Sequence, residues 1–137
     1  METLFQEQYA LINWYPEKQL MCLYLIQQPD FKQFRLAFHH LSENFRQHPV
    51  QYLLIDFRHP AEITIEERAW LVTQWFASFK EIAPPYLYLG LVTSKSLFEQ
   101  MNNAFVVQSL QAQSPFAIKL LNSVDEGLKW IAESKNL

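Results

Sequence analysis

The stretch QYLLIDF, residues 51–57, has the length of a strand and is apolar at consecutive rather than alternate positions. Strands that are buried on both faces have this composition, and they occupy the centre of parallel sheets covered by helices. Residues 86–92, YLYLGLV, form a second run of the same kind. We therefore expect both stretches to be parallel strands inside an α/β domain.

Helices are predicted after these strands because capping signals precede amphipathic segments. In a capping box, a residue before the helix and a Glu or Gln three positions later each satisfy a free backbone amide of the other. Three such pairs occur in the chain, and Ser94 is a further candidate N-cap. The predicted helices are 30–46 after Asp30, 65–82 after Thr64, 95–111 after Ser94 and 124–134 after Ser123.

Three further strands complete the predicted domain. Residues 8–15 and 19–27 flank a short turn at Pro16 and form an antiparallel hairpin, and residues 116–121 form the last strand. The order is β-β-α-β-α-β-α-β-α. We expect one domain over residues 1–137, with its core at about 8–132 and a mixed, mostly parallel five-stranded sheet with four helices.

Large apolar residues outside the helical stripes are the strongest sign of a contact surface. In helix 65–82 the predicted buried stripe is Ile65, Ala69, Val72, Phe76 and Phe79, widened by Leu71 and Trp75. Trp70 lies far outside that arc. Several such outliers indicate either a homodimer or partner interface, or cover by edge strands, loops and chain ends. The candidate interface residues are Trp70, Leu36, Val106 and Trp130, with Val107 beside them.

Four segments carry a family resemblance: YLLIDFR at 52–58, ITIEERAWL at 63–71, LVTSKSLF at 91–98 and DEGLKWI at 125–131. Their order and lengths resemble the STAS-like fold of the bacterial-type anti-sigma-factor antagonists, and most closely the small SpoIIAA-like proteins. The similarity covers roughly residues 8–132.

This resemblance implies a binding or regulatory module rather than a reaction. In the antagonist family, a serine at the start of the helix after a central strand is phosphorylated, and this switches binding to a partner kinase. Residues 59–67 here contain no Ser and no Gly, so only Thr64 offers a hydroxyl near that helix start. CRAL-TRIO-type relatives bind lipids, which implies a second function for a fold of this kind.

Composition argues against several other classes. The chain carries eleven basic and fourteen acidic residues, a net charge of −3, without a basic cluster, so we expect no nucleic-acid partner. Neither a long apolar span nor a signal peptide is predicted. The single cysteine, Cys22, lies in an apolar run and is expected to be a buried, inert thiol. These features favour a cytoplasmic protein without a cofactor.

Asp56, Arg58, His59 and Thr64 form the candidate ligand or regulatory site. Three of them follow the end of a central strand, where open α/β sheets bind ligands. Arg can hold an anion, His can carry a proton, and the helix start at Thr64 offers free amides. The alternative is an Asp–Arg pair beside a loop histidine. Thr64 is expected to be an N-cap, with phosphorylation as the other interpretation.

No metal site is predicted, since His39 and His40 are adjacent on a helix and are expected to face solvent, while His48 has no partner at ligand spacing. The favoured function is therefore a non-enzymatic interaction or regulatory module that binds a protein partner or itself. The alternative is a small-molecule or lipid binder with a pocket between helix 95–111 and the sheet. An enzyme using Asp56, Arg58 and His59 is the third hypothesis.

Overall fold

The computed structural model describes residues 1–59, 63–103 and 106–135, without the side chains of residues 101–103 and 106. Its centre is one mixed sheet of six strands in the order β1-β2-β3-β4-β5-β6. Strand β2 is antiparallel to both of its neighbours, β1 and β3, and β3 to β6 are parallel. The strands are β1 Glu2–Gln6, β2 Ala10–Tyr15, β3 Leu20–Leu25, β4 Tyr52–Asp56, β5 Tyr88–Val92 and β6 Ala117–Leu121.

Helices follow each parallel strand. A turn of 3₁₀ helix, Pro16–Lys18, joins β2 to β3 in the predicted hairpin. The described helices are α1 Phe31–Gln47, α2 Ile65–Trp70, α3 Phe76–Ile82, α4 Lys95–Asn103, α5 Val106–Gln113 and α6 Val124–Lys135. A π turn, Leu71–Trp75, joins α2 to α3 without a break. In the described part of the chain, no helix is both long and apolar enough to cross a membrane.

The sheet is covered on both faces, which confirms the expectation for residues 51–57. Since β3 to β6 lie side by side in chain order, right-handed connections place α1, α2–α3 and α4–α5 on one face. Helix α6 follows the last strand and lies on the other face, against β4, β5 and β6. Leu53 and Ile55 of β4 belong to the main core, whereas Tyr52 and Leu54 pack with Ile131 of α6.

The α/β class and the mixed sheet are confirmed, but the predicted count of five strands is wrong because β1 was not expected. This edge strand, ETLFQ, has no alternation of apolar and polar residues. A register shift between Thr3 and Phe5 brings both Leu4 and Phe5 against the main core. Such a shift removes the period of two on which strand prediction depends.

The predicted count of four helices also changes, since residues 95–111 contain both α4 and α5. The helix predicted over 65–82 has the expected bounds, but its predicted stripe is wrong at the N-terminal end. Ile65 is 77% exposed and Ala69 is exposed, whereas Glu67 is buried in their place; Leu71 and Trp75, which widened the predicted stripe, are buried as expected.

The π turn explains this error in the stripe. The backbone amide of Phe76 donates to the carbonyl of Leu71, five residues earlier, so the turn holds one residue more than an α-turn. One extra residue rotates the side chains of α2, which precedes the turn, by about 100° relative to those of α3, which follows it. A stripe extrapolated backward from Phe76 and Phe79 therefore arrives at the wrong side of α2. The same rotation moves Trp70 from the predicted solvent side to the edge of the core.

Candidate functional site

A groove runs along the surface between α1 and the α2–α3 segment, and an aromatic cluster forms its floor. The indole Nε1 of Trp75 donates to the carbonyl of Phe38 at 3.1 Å and to Oγ of Ser42 at 2.9 Å. The Trp75 ring also stacks on Phe79, with ring centres 4.7 Å apart. The two hydrogen bonds join α1 to the α2–α3 segment, so Trp75 forms the floor of the groove in a fixed position.

Three adjoining depressions, of about 260, 320 and 380 Å³, make up the groove. His39 and Trp70 line both the first and the second, and Arg46 lines both the second and the third. From Lys32 to Arg46 the groove follows α1 for about 21 Å at ~1.5 Å per residue. We call it the Trp70 groove. Its first depression, the Trp70 end, is lined by Lys32, Arg35, Leu36, His39 and Trp70.

Trp70 is half-buried, which corrects the prediction that it lies far outside the apolar arc of its helix. Its ring makes T-shaped contacts with three rings of α1. The ring centres lie 6.5 Å from Phe31, 6.0 Å from Phe34 and 6.2 Å from Phe38. Leu36, another predicted interface residue, is 38% exposed and lines the same depression. The structure therefore brings together two of the four candidate interface residues.

The other two candidates do not join this surface. Trp130 is half-buried on the opposite face of the sheet, where its ring meets the edge of Tyr88 at 5.5 Å and the ammonium of Lys119 lies 5.7 Å from the ring centre. Cover by a neighbouring strand, the alternative considered from the sequence, therefore applies to Trp130. The side chain of Val106 lies outside the described residues, and Val107 is half-buried against the main core.

Cations dominate the Trp70 end. Lys32 and Arg35 line it without an acidic residue, while Glu43 and Glu81 lie farther along the groove. Asp56–Arg58 is the one ion pair among the residues that the structure describes, so neither Lys32 nor Arg35 is ion-paired with a described carboxylate. The Arg35 guanidinium stacks on Phe31, with Cζ 4.6 Å from the ring centre.

Asp56 and Arg58 of the predicted ligand site form a closed pair. Arg58 Nε donates to Asp56 Oδ1 at 2.9 Å, and Nη2 donates to Oδ2 at 2.8 Å. The Arg58 backbone amide also donates to Oδ1 at 3.0 Å. Asp56 is 1% exposed, so its carboxylate is occupied from within the chain. Hydrogen bonding to this carboxylate raises the pKa of Arg58.

The remaining two residues of that predicted site are not connected to the pair. In the described ranges, no hydrogen bond or ion pair joins His59 or Thr64 to Asp56 or Arg58. His59 is exposed. Thr64 is an N-cap, as expected: its Oγ1 accepts from the Glu67 amide at 3.0 Å, and Glu67 Oε1 accepts from the Thr64 amide at 2.9 Å. The geometry favours the ion-pair interpretation over a ligand or catalytic site.

Comparison of the chain with protein-family models, with curated proteins and with solved structures gives no match. The STAS-like, SpoIIAA-like affiliation therefore remains a prediction from the sequence pattern, and the site must be interpreted from its own geometry.

Two of the four histidines, His40 and His48, pack against aromatic rings. His39 is exposed in the groove, but His40 is half-buried and stacks on Phe5 at 4.3 Å, which corrects the expectation that it faces solvent. His48 packs on Trp14 at 4.1 Å. Across residues 1–59, 63–103 and 106–135, the structure contains no group of three or more His, Cys, Asp or Glu side chains placed to hold a metal ion.

The pocket required by the lipid-binding alternative is not evident where side chains are described. Leu97 of α4, Leu110 of α5 and Phe116 before β6 are 4%, 3% and 1% exposed and belong to the main core. Phe116 also packs on Phe76, with ring centres 5.8 Å apart. These side chains pack into the main core between α4–α5 and the sheet.

Cys22 is buried, as predicted. Burial raises the pKa of the Cys22 thiol from 9.0 to about 11, and a side-chain hydrogen bond with Tyr24 offsets only part of that rise. A thiol at 3% exposure with a raised pKa is a poor nucleophile at neutral pH.

The raised pKa of Cys22 predicts that the protein loses stability at alkaline pH. The folded state holds the thiol proton more tightly than the unfolded state does, so its stabilising effect is complete below pH 9 and is lost as the pH rises toward 11. We expect the free energy of unfolding of wild type to fall by about 3 kcal/mol more than that of Cys22→Ala across this window. Urea unfolding at a series of pH values measures the difference. Parallel curves for the two proteins would contradict the prediction.

Sequence reasoning missed the cations of the groove. Lys32, Arg35, Leu36 and His39 recur at intervals of three and four on a face of α1 beside its Phe residues, and this pattern was available as a signal. What no pattern showed is that the segment carrying Trp70 lies beside them.

Proposed function

We propose that this chain is a non-enzymatic protein-interaction or regulatory module of the SpoIIAA-like type, and that the Trp70 groove binds a segment of a partner protein. The observation that carries the proposal is the placement of Leu36 and Trp70 together at the surface, beside cations that are not ion-paired with a described carboxylate. Apolar groups on a surface mark contact sites when they adjoin one another and have a polar rim.

The shape of the groove supports a peptide segment as its occupant. A length of about 21 Å matches about six residues of extended chain at ~3.3 Å each. The floor is already fixed by Trp75 through its two hydrogen bonds to α1, so binding need not order it. A preformed site loses less entropy on binding than a flexible one. Aromatic anchors such as Trp70 also contribute much of the binding energy at interfaces.

The enzyme hypothesis has less support, because the Asp56 carboxylate is occupied by Arg58 and His59 does not join the pair. The lipid-binding alternative has less support because the described apolar side chains Leu97, Leu110 and Phe116 are packed in the main core. Self-association remains the other form of an interaction module, and the experiment below separates it from binding of a different protein.

Selection from a random peptide library displayed on phage tests the proposal. We expect a consensus sequence to emerge, and synthetic peptides carrying it to bind wild type about ten-fold more tightly than they bind Leu36→Ala or Trp70→Ala. Leu128→Ala is the matched control, since Leu128 on α6 is 39% exposed and Leu36 on α1 is 38% exposed. Its affinity should equal that of wild type.

Two results would overturn the proposal. One is the absence of any consensus, or a consensus whose binding Leu36→Ala and Leu128→Ala weaken equally. The other is a dimer, seen by light scattering of the free protein, that Leu36→Ala converts to a folded monomer. In that case the groove is occupied by a second copy of this chain.

A further inference from the structure

We infer that the partner segment is acidic, with a carboxylate held between Lys32 and Arg35 and a neighbouring apolar side chain packed on Leu36 and Trp70. This inference rests on the proposed function and names the chemistry of its partner. The Trp70 end is its binding position, because two cations without a described ion-pair partner adjoin Leu36 and Trp70 there and no acidic residue lines that depression.

The charge distribution is the first argument. The chain as a whole has a net charge of −3, yet the Trp70 end is lined by two full positive charges and by no acidic residue. Glu43 and Glu81 lie toward the opposite end of the groove. Positive charge at one end of the groove attracts anionic groups to that end. An acidic segment would therefore bind along the groove in one direction, with its acidic residues at the Trp70 end.

The position of Arg35 is the second argument. The Arg35 guanidinium lies over the Phe31 ring, with Cζ 4.6 Å from the ring centre, and the Phe31 ring in turn makes a T-shaped contact with Trp70. A cation–π contact with Phe31 uses no N–H donor of the guanidinium in a hydrogen bond, and the fork geometry of these donors fits a carboxylate. Because the cation is already held beside the indole, a carboxylate bound there would lie next to the apolar surface of Leu36 and Trp70.

The number and order of charges favour a peptide over a nucleic acid. Lys32, Arg35 and Arg46 are the cations that line the groove, and Glu43 interrupts them. Nucleic acid presents a regular series of phosphates and requires an uninterrupted basic track. A segment with one or two acidic residues beside an apolar residue requires only the Trp70 end.

Defined peptides test the inference. The probe is acetyl-Gly-Glu-Leu-Glu-Glu-Leu-Gly-amide, and its two controls replace every glutamate by glutamine or by lysine. By fluorescence anisotropy of labelled peptides, we expect the glutamate peptide to bind wild type about ten-fold more tightly than the glutamine peptide at about 50 mM salt. The ratio should fall to about two-fold at about 300 mM salt, since exposed charges are screened. The lysine peptide should bind most weakly.

Reversing the charges of Lys32 and Arg35 tests whether these two cations select the peptide. Lys32→Glu combined with Arg35→Glu should reverse the preference, so that the lysine peptide binds more tightly than the glutamate peptide. Lys95→Glu combined with Lys129→Glu is the matched control, because both lysines are exposed outside the groove and the change in net charge is the same. This control should keep the preference of wild type.

The outcomes separate this inference from the proposed function. Equal binding of the glutamate and glutamine peptides, or equal effects of the two charge-reversal pairs, would overturn the acidic partner. Tighter binding of an oligothymidine than of the glutamate peptide would overturn it in favour of a nucleic acid. If the library yields groove-dependent peptides that lack acidic residues, the inference fails and the proposed function stands. If it yields no groove-dependent peptide, the proposed function fails as well.

Discussion

Deletion of Thr73 is expected to lower the free energy of unfolding by about 4 kcal/mol. Thr73 lies at the exposed centre of the π turn Leu71–Trp75. Removing one residue leaves a turn of α-helical length, and α2 then rotates by about 100° relative to α3. Leu71, now 5% exposed, leaves the core, and Trp70 loses its contacts with the α1 rings. Full burial of a leucine alone accounts for more than half of the expected loss.

The control for this deletion is Thr73→Ala, which removes the same side chain but keeps the length of the turn. Thr73 Oγ1 donates only to the carbonyl of Ala69 at 2.7 Å at an exposed position, so we expect a change within about 0.5 kcal/mol. Urea unfolding measures both variants, and acrylamide quenching of tryptophan fluorescence, compared with that of the same proteins carrying Trp70→Phe, isolates the exposure of Trp70 among the four tryptophans. If the deletion variant is as stable and as weakly quenched as wild type, the π turn does not set the register of α2.

Gly90→Val is expected to destabilise the protein by about 3 kcal/mol. Gly90 lies in β5 beneath α6, and a Cβ atom there would come within 2.6 Å of Leu54 Cδ2 and 2.8 Å of Leu121 Cδ1. The ring of Trp130 begins only 3.4 Å away. The leucine methyls can shift for a single carbon, but a branched side chain also has to displace Trp130. Displacement of this ring detaches α6 from the sheet and exposes the second core.

Alanine variants of Gly90 and Gly127 show how the loss of stability depends on the space around each added Cβ atom. We expect Gly90→Ala to cost about 1 kcal/mol, since only the leucine tips must move. Gly127→Ala should change stability by less than about 0.5 kcal/mol, because its Cβ would lie 3.2 Å from Leu121 and alanine favours the helix by about 1 kcal/mol. Thermal unfolding ranks the three variants. A Gly90→Val protein with the melting temperature of wild type would show that α6 is not packed over Gly90.

Several parts of the fold follow from local sequence because their causes are local. Asp30 and Thr64 cap helices through contacts that span three residues, and these pairs are visible in the sequence. Phe34, Phe38, Leu41 and Phe45 of α1 are buried along one face, since a regular helix repeats its faces without reference to its neighbours. The closed Asp56–Arg58 pair is likewise a contact between residues two apart, and it was one of the two interpretations of that motif.

The candidate site was less predictable than the fold. Leu36 and Trp70 were recognised as outliers, but as separate ones, and Trp130 was grouped with them although it packs on the opposite face of the sheet. The cations Lys32 and Arg35 were not singled out, because a charged helix face is ordinarily only a solvated one. They gain significance only from the indole that lies beside them.

The amino-acid sequence by itself determined the α/β class, the central strands, the hairpin and the starts of the helices, because composition, periodicity and capping act within a few residues of one another. The tertiary structure decided the edge strand β1, the rotation of α2 at the π turn and the meeting of Trp70 with the basic face of α1. Each of these depends on which distant surfaces are buried together. A π turn, for example, is stable only when the packing of Leu71 and Phe76 on the same core offsets the irregular helix between them.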